Sequence, residues 1–235
     1  MGILCLSALA GCGDSGGGTE PPPVKDTRPH SLVIVDGDGQ TGTVATVLDD
    51  SLVVKVTNEA GATLSDVSVE WSVASGGGSL SPATSRTDGN GLARTAWTLG
   101  TAVGSGEVTA KVANLPPVAF TAEAEHGEAA NLVATPAEIV FEAIGDTAHL
   151  GAAVEDAYGN PIPDPTISWA SLDTTVATVS AGVIEAVGNG TTSVIATSGE
   201  GADTVAVRGQ VSAAEDPPGE DPPGEDPPGE DPPGE

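Results

Sequence analysis

Three kinds of pattern in this chain carry the residue types of reactive or binding sites. Gly37, Gly39 and Gly42 form a G-x-G-x-x-G run behind the apolar stretch Leu32 to Val35. Glu59 lies about 20 residues on, the arrangement of a dinucleotide-phosphate loop. The next segment, Thr43-Val44-Ala45-Thr46-Val47-Leu48, is β-branched and strand-like, whereas a pyrophosphate rests on a helix N-terminus. The next strand begins too soon, at Leu52, to leave room for a crossover helix. Gly13-Asp14-Ser15-Gly16-Gly17 sets a serine as a hydrolytic nucleophile would be set, but nothing folded precedes it to hold a histidine base and an orienting carboxylate. His30, His126 and His149 lack zinc-ligand spacing, and Cys5 and Cys12 are the only cysteines. Asp36 with Asp38, Asp49 with Asp50, and Glu155 with Asp156 put oxygens near turns. Calcium takes roughly six to eight oxygens, and Asx-type turns use the same residues. Asp36 and Asp38 are thus the candidate calcium ligands, without an EF-hand pattern, and no other cofactor is implied.

The elements that would have to position such groups are strands. Val56, Gly61, Asp66 and Trp71 recur as Val154, Gly159, Asp164 and Trp169, an offset of 98 residues. Leu52, Val54, Leu64 and Val69 match Leu150, Ala152, Ile162 and Ile167 at the same offset. A repeat this long marks two copies of one domain, since solenoid periods run roughly 20 to 50 residues. In each copy a period-2 strand runs into a glycine-centred turn, and a second strand brings its Trp to the apolar side. Gly61 and Gly159 supply the positive φ of the turn, and Trp71, Trp97 and Trp169 are the expected core anchors, each able to bury roughly 150 to 250 Å². Of the aromatic rings, only Tyr158, in the Ala157-Tyr158-Gly159 turn, is expected at the surface, a poor platform for sugar stacking.

Composition narrows the function. The chain has 235 residues, 32 Gly and 19 Pro, with turn clusters between short apolar runs, the pattern of an all-β sandwich. Its net charge is −27, and its seven Lys and Arg are scattered. Nucleic acid is excluded as a partner, because phosphate binding needs a basic stripe. Both cysteines lie in the first twelve residues, so no disulfide staples either domain.

The ends read differently from the middle. Ile3 to Ala10 is apolar but too short to span a bilayer, and it has the length of a signal-peptide core. Leu9-Ala10-Gly11-Cys12 resembles the lipobox of bacterial lipoproteins, which implies cleavage before Cys12 and a lipid on its sulfur. No Lys or Arg precedes the apolar run, a departure from the usual charged start. Gly13, rather than Asp, comes after the cysteine, so export to an outer membrane is permitted. A Gly- and Pro-rich tether comes next, and residues 215–235 are four Glu-Asp-Pro-Pro-Gly repeats plus Glu235, a composition expected to stay extended.

Residues 129–209 resemble the bacterial immunoglobulin-like domain of group 2. The carrying residues are Pro136, Gly145-Asp146-Thr147, Val154-Glu155-Asp156, Gly159-Asn160-Pro161-Ile162, Ile167-Ser168-Trp169, Val176 to Ser180, and Gly190-Thr191. Residues 30–125 resemble the group 1, invasin-like type through Leu52 to Thr57, Gly61, Val69-Glu70-Trp71, Gly76-Gly77-Gly78, Thr87-Asp88 and Trp97-Thr98-Leu99-Gly100. The resemblance implies two tandem immunoglobulin-like Greek-key sandwiches and brings no catalytic residues with it. The expected organisation is a signal peptide at 1–11, a flexible tether at 12–29, sandwiches at 30–125 and 129–209, and a disordered acidic tail at 210–235. The expected role is a non-enzymatic cell-envelope lipoprotein, held to a membrane at Cys12 and placed at the outer membrane or cell surface. It would act as a stalk or adhesion module toward a surface protein or polysaccharide. The alternatives are a carbohydrate- or calcium-dependent binding module, or the N-terminal part of a longer surface protein.

Overall fold

The computed structural model describes residues 26–210. Cys12 and its lipobox, the Ser15 run, the tether as far as residue 25 and the acidic repeats lie outside them. Eighteen strands and no helix run through the described residues, organised around two separate cores.

In the first sandwich, β1 (Ser31–Asp36), β3 (Leu52–Thr57), β7 (Leu92–Thr98) and β5 (Ser79–Ser81) form one sheet in the order β1-β3-β7-β5. Facing it are β2 (Gln40–Thr43), β9 (Val118–Glu125), β8 (Gly104–Lys111), β4 (Ser68–Ser75) and β6 (Thr84–Arg86), in the order β2-β9-β8-β4-β6. The G-x-G-x-x-G run is the place where the chain leaves β1 for β2 and so changes sheet. Gly37 and Gly39 there have φ of 85° and 70°, and Gly42 lies against Leu48 and Leu99.

The second sandwich is built on the same plan. Strands β11 (Glu138–Phe141), β18 (Gly201–Gly209), β17 (Gly190–Ser198) and β14 (Ser168–Ser171) form one sheet in that order. Across from it, β10 (Ala129–Thr135) pairs with β13 (Gly151–Asp156), and β12 (Thr147–His149) with β16 (Val183–Ala186) and β15 (Ala177–Ser180). In both sandwiches the second strand pairs in parallel with the last, β2 with β9 and β11 with β18, while the other strand pairs among the described residues are antiparallel.

Backbone geometry explains the 98-residue skeleton. Val56 and Val154 are core residues, and Gly61 and Gly159 have φ of 78° and 83°. Asp66 and Asp164 also sit at positive φ, 63° and 48°, a conformation that Asp tolerates better than most residues. The unit is a crossing between sheets, because β3 and β4 belong to opposite sheets and so do β13 and β14.

The tryptophans differ. Trp97 is fully buried; Trp71 is nearly so, its Nε1 donating to Ser85 Oγ at 2.8 Å and its ring 5.8 Å from that of Phe120. Trp169 is only half-buried against the second core. Two causes are visible. Strand β14 is the edge of its sheet, whereas β4 is flanked by β6; and strand register puts Val205 where the first sandwich has Phe120.

Candidate functional site

Most polar groups singled out in the sequence serve the fold. Asp36 Oδ1 accepts from the Gly37 N–H at 2.9 Å. Asp38 Oδ1 accepts from the N–H and hydroxyl of Thr121 at 2.8 and 3.1 Å, tying the sheet-switching loop to β9. The Asp50 backbone N–H donates to Gln40. His30 and His149 are exposed and on different sandwiches, and the His126 ring lies 2.8 Å from the Gly127 carbonyl. Among the described residues no three of His, Cys, Asp and Glu converge as metal ligands would. Tyr158 is 54% exposed.

One acid stands apart. Asp156 has no exposed surface, although its place beside Glu155 at a turn would suit a solvated acid. Its Oδ1 accepts from the N–H groups of Tyr158 and Asn160 at 2.8 and 2.9 Å, and its Oδ2 from the Gly127 N–H and the Asn160 Nδ2 at 2.9 and 2.8 Å. Period-2 alternation carries the clue to its burial, since Asp156 shares the inward parity of Val154. Burial opposes its charge, but these donors outweigh burial and hold the carboxyl far below the usual range.

The other shifted carboxyls are also held low. At Asp173 the Thr175 hydroxyl and N–H do this; at Asp203 the Ala134 and Thr204 N–H groups; at Asp88 chiefly the Leu92 N–H. A general acid at neutral pH needs the opposite shift. Carboxyls depressed in the folded state stabilise it above the unfolded value of about 3.9, and that contribution is lost as the pH falls below it. Three of the four belong to the second sandwich, so the second sandwich should unfold first on acidification below about pH 4. Amide NMR signals tracked from about pH 5 to 2 check this; earlier loss of the first sandwich would contradict it.

One open groove lies on the outer face of the second sandwich. It measures about 470 Å³ and is lined by Glu138, Asp173, Thr191, Thr192 and Arg208 among others, with Leu172 on its wall. Leu172 is 67% exposed; Val140, paired with Arg208, is half exposed. An aliphatic rim around mixed charges and hydroxyls suits a polar chain lying along a sheet, not an enclosed reactant.

No protein-family model matches this sequence, and no curated protein does. Solved structures do match. FdeC, an Escherichia coli adhesin, is 15% identical with a TM-score of 0.51, over 78% of this chain and 64% of that one. A C-terminal 282-residue fragment of intimin, in complex with the intimin-binding domain of the translocated intimin receptor, is 23% identical with a TM-score of 0.34, over 77% and 64%. Invasin, a bacterial integrin-binding protein, is 22% identical with a TM-score of 0.40, over 78% and 40%. The chain spans less than two thirds of each. The strand topology and the likeness to FdeC make the fold all-β, a tandem of immunoglobulin-like sandwiches.

Proposed function

We propose that this chain is a surface stalk or adhesion module, lipid-anchored at Cys12, in which a group 1-like domain at 30–125 and a group 2 domain at 129–209 stand in series beyond a tether. The observation that carries this reading is the tandem pair of sandwiches, joined by a short link between β9 and β10. Such a pair provides reach and surface. The adhesin FdeC shares the fold, which agrees with an adhesive role without assigning one. No step of catalysis is ascribed to the described residues. The partner is a protein or polysaccharide at the cell surface, met along the groove beside Leu172.

The anchor and the contact surface are tested separately. Cells labelled with palmitate should mark the wild-type protein and lose the label in Cys12→Ala; equal labelling would refute the anchor. Leu172→Asp with Val140→Asp should abolish surface binding while leaving the fold intact. Unchanged binding would leave the spacer role alone.

A further inference from the structure

The Asn160 side chain crosses from one sandwich to the other. Its Nδ2 donates to the Thr101 carbonyl oxygen at 2.8 Å as well as to Asp156, and its Oδ1 accepts from the Val103 N–H at 3.2 Å. Thr101 and Val103 lie in the first sandwich, between β7 and β8. Asn160 is 7% exposed, so these bonds are largely sheltered from competing water. Asp156 holds both the amide and the link, through Gly127.

The chain contains its own control for this turn. In the first sandwich the same turn has Asn58 in place of Asp156 and Ala62 in place of Asn160. Its backbone bonds are the same: Asn58 N–H to Ala62 O at 2.9 Å against Asp156 N–H to Asn160 O at 3.0 Å, and Gly61 N–H to Asn58 O at 3.0 Å against Gly159 N–H to Asp156 O at 3.1 Å. Leu64 N–H to Val56 O and Ile162 N–H to Val154 O, at 3.2 and 2.9 Å, close both turns alike. Alanine therefore suffices for the turn. The carboxamide at 160 is not needed for the backbone of the turn: its Nδ2 is shared between Asp156, within its own sandwich, and the Thr101 carbonyl, and its Oδ1 is spent on the neighbouring sandwich. Asn58 has a one-sided counterpart of this role, its Nδ2 donating to the Asp26 carbonyl of the incoming chain at 2.8 Å.

We propose that Asn160 is a latch: through the Thr101 carbonyl and the Val103 N–H it fixes the orientation of the second sandwich on the first, with Asp156 holding the amide in position. This does not depend on the adhesive role. The test is residual dipolar coupling of backbone amides in the full chain. In the wild type one alignment tensor should fit both sandwiches. Asn160→Ala, which reproduces the turn around Ala62, should leave both sandwiches folded but require two tensors. Val103→Pro removes the opposing N–H without touching the second sandwich and should also require two. A single tensor in both variants would overturn the latch. So would a result in which Asn160→Ala unfolds the second sandwich while Val103→Pro keeps one tensor, because Asn160 would then be a fold residue.

Discussion

Trp97→Ala should cost the first sandwich about 3–5 kcal/mol, out of the roughly 5–15 kcal/mol that hold a domain folded. The ring is fully buried on β7, and its Nε1 lies 3.4 Å from the Gly77 carbonyl oxygen. It occupies the space that a side chain at position 106 would need: a Cβ on Gly106 would come within 2.9 Å of Cη2 and Cζ2. The indole and the bare glycine are a matched pair, and the backbone around Gly106 cannot close over the cavity left by alanine. Because the two cores share no residue, calorimetry should show the first transition lowered by on the order of 20 °C, with the second in place. A loss under about 1 kcal/mol would mean that the site collapses freely, contrary to this packing.

Gly78→Ala should have the second large effect, and Gly61→Ala separates its two causes. Both glycines have positive φ, 91° and 78°. That conformation alone costs an L-residue about 1–2 kcal/mol. At Gly61 a Cβ would meet nothing within 4 Å, whereas at Gly78 it would run into the Thr98 carbonyl oxygen and the backbone of Leu99 and Gly100. Gly100 is hemmed in the same way, by the Gly76 carbonyl oxygen. Gly61→Ala should therefore lose about 1–2 kcal/mol, and Gly78→Ala clearly more, since the backbone at the start of β5 must move. Equal losses in urea titrations of the two variants would show that φ alone matters.

The repeat made much of the fold legible, because its spacing records backbone requirements as well as burial. Val56 and Val154 gave the inward parity of their strands, and Gly61 and Gly159 the turn. Less could be read of the connections. A strand, a glycine turn and a second strand look like a hairpin in one dimension, yet here the second strand joins the opposite sheet. That choice is made by pairing partners far along the chain, such as Ala110 opposite Trp71. Trp169 carries the same local signature as Trp71, but its exposure is set by the sheet edge and by Val205, which no local pattern encodes. Asp156 is the instructive case. Its parity with Val154 indicated an inward position, but an acid beside another acid at a turn also fits a solvated loop. What decides is the set of donors that folding assembles around it, and Asn160 reaches Thr101 and Val103 only once the two sandwiches are in place.

The parallel ladders of β2 on β9 and of β11 on β18 bear on what happens when the molecule is pulled. In each sandwich an early strand and the final strand run in the same direction side by side, four residue pairs long. Tension between the two ends of the chain drags these strands past one another, so their hydrogen bonds share the load at once instead of unzipping in turn. A tether under flow would meet its mechanical resistance at these two ladders, and the second of them, through Glu138, Ala206, Val207 and Arg208, is also a wall of the groove beside Leu172.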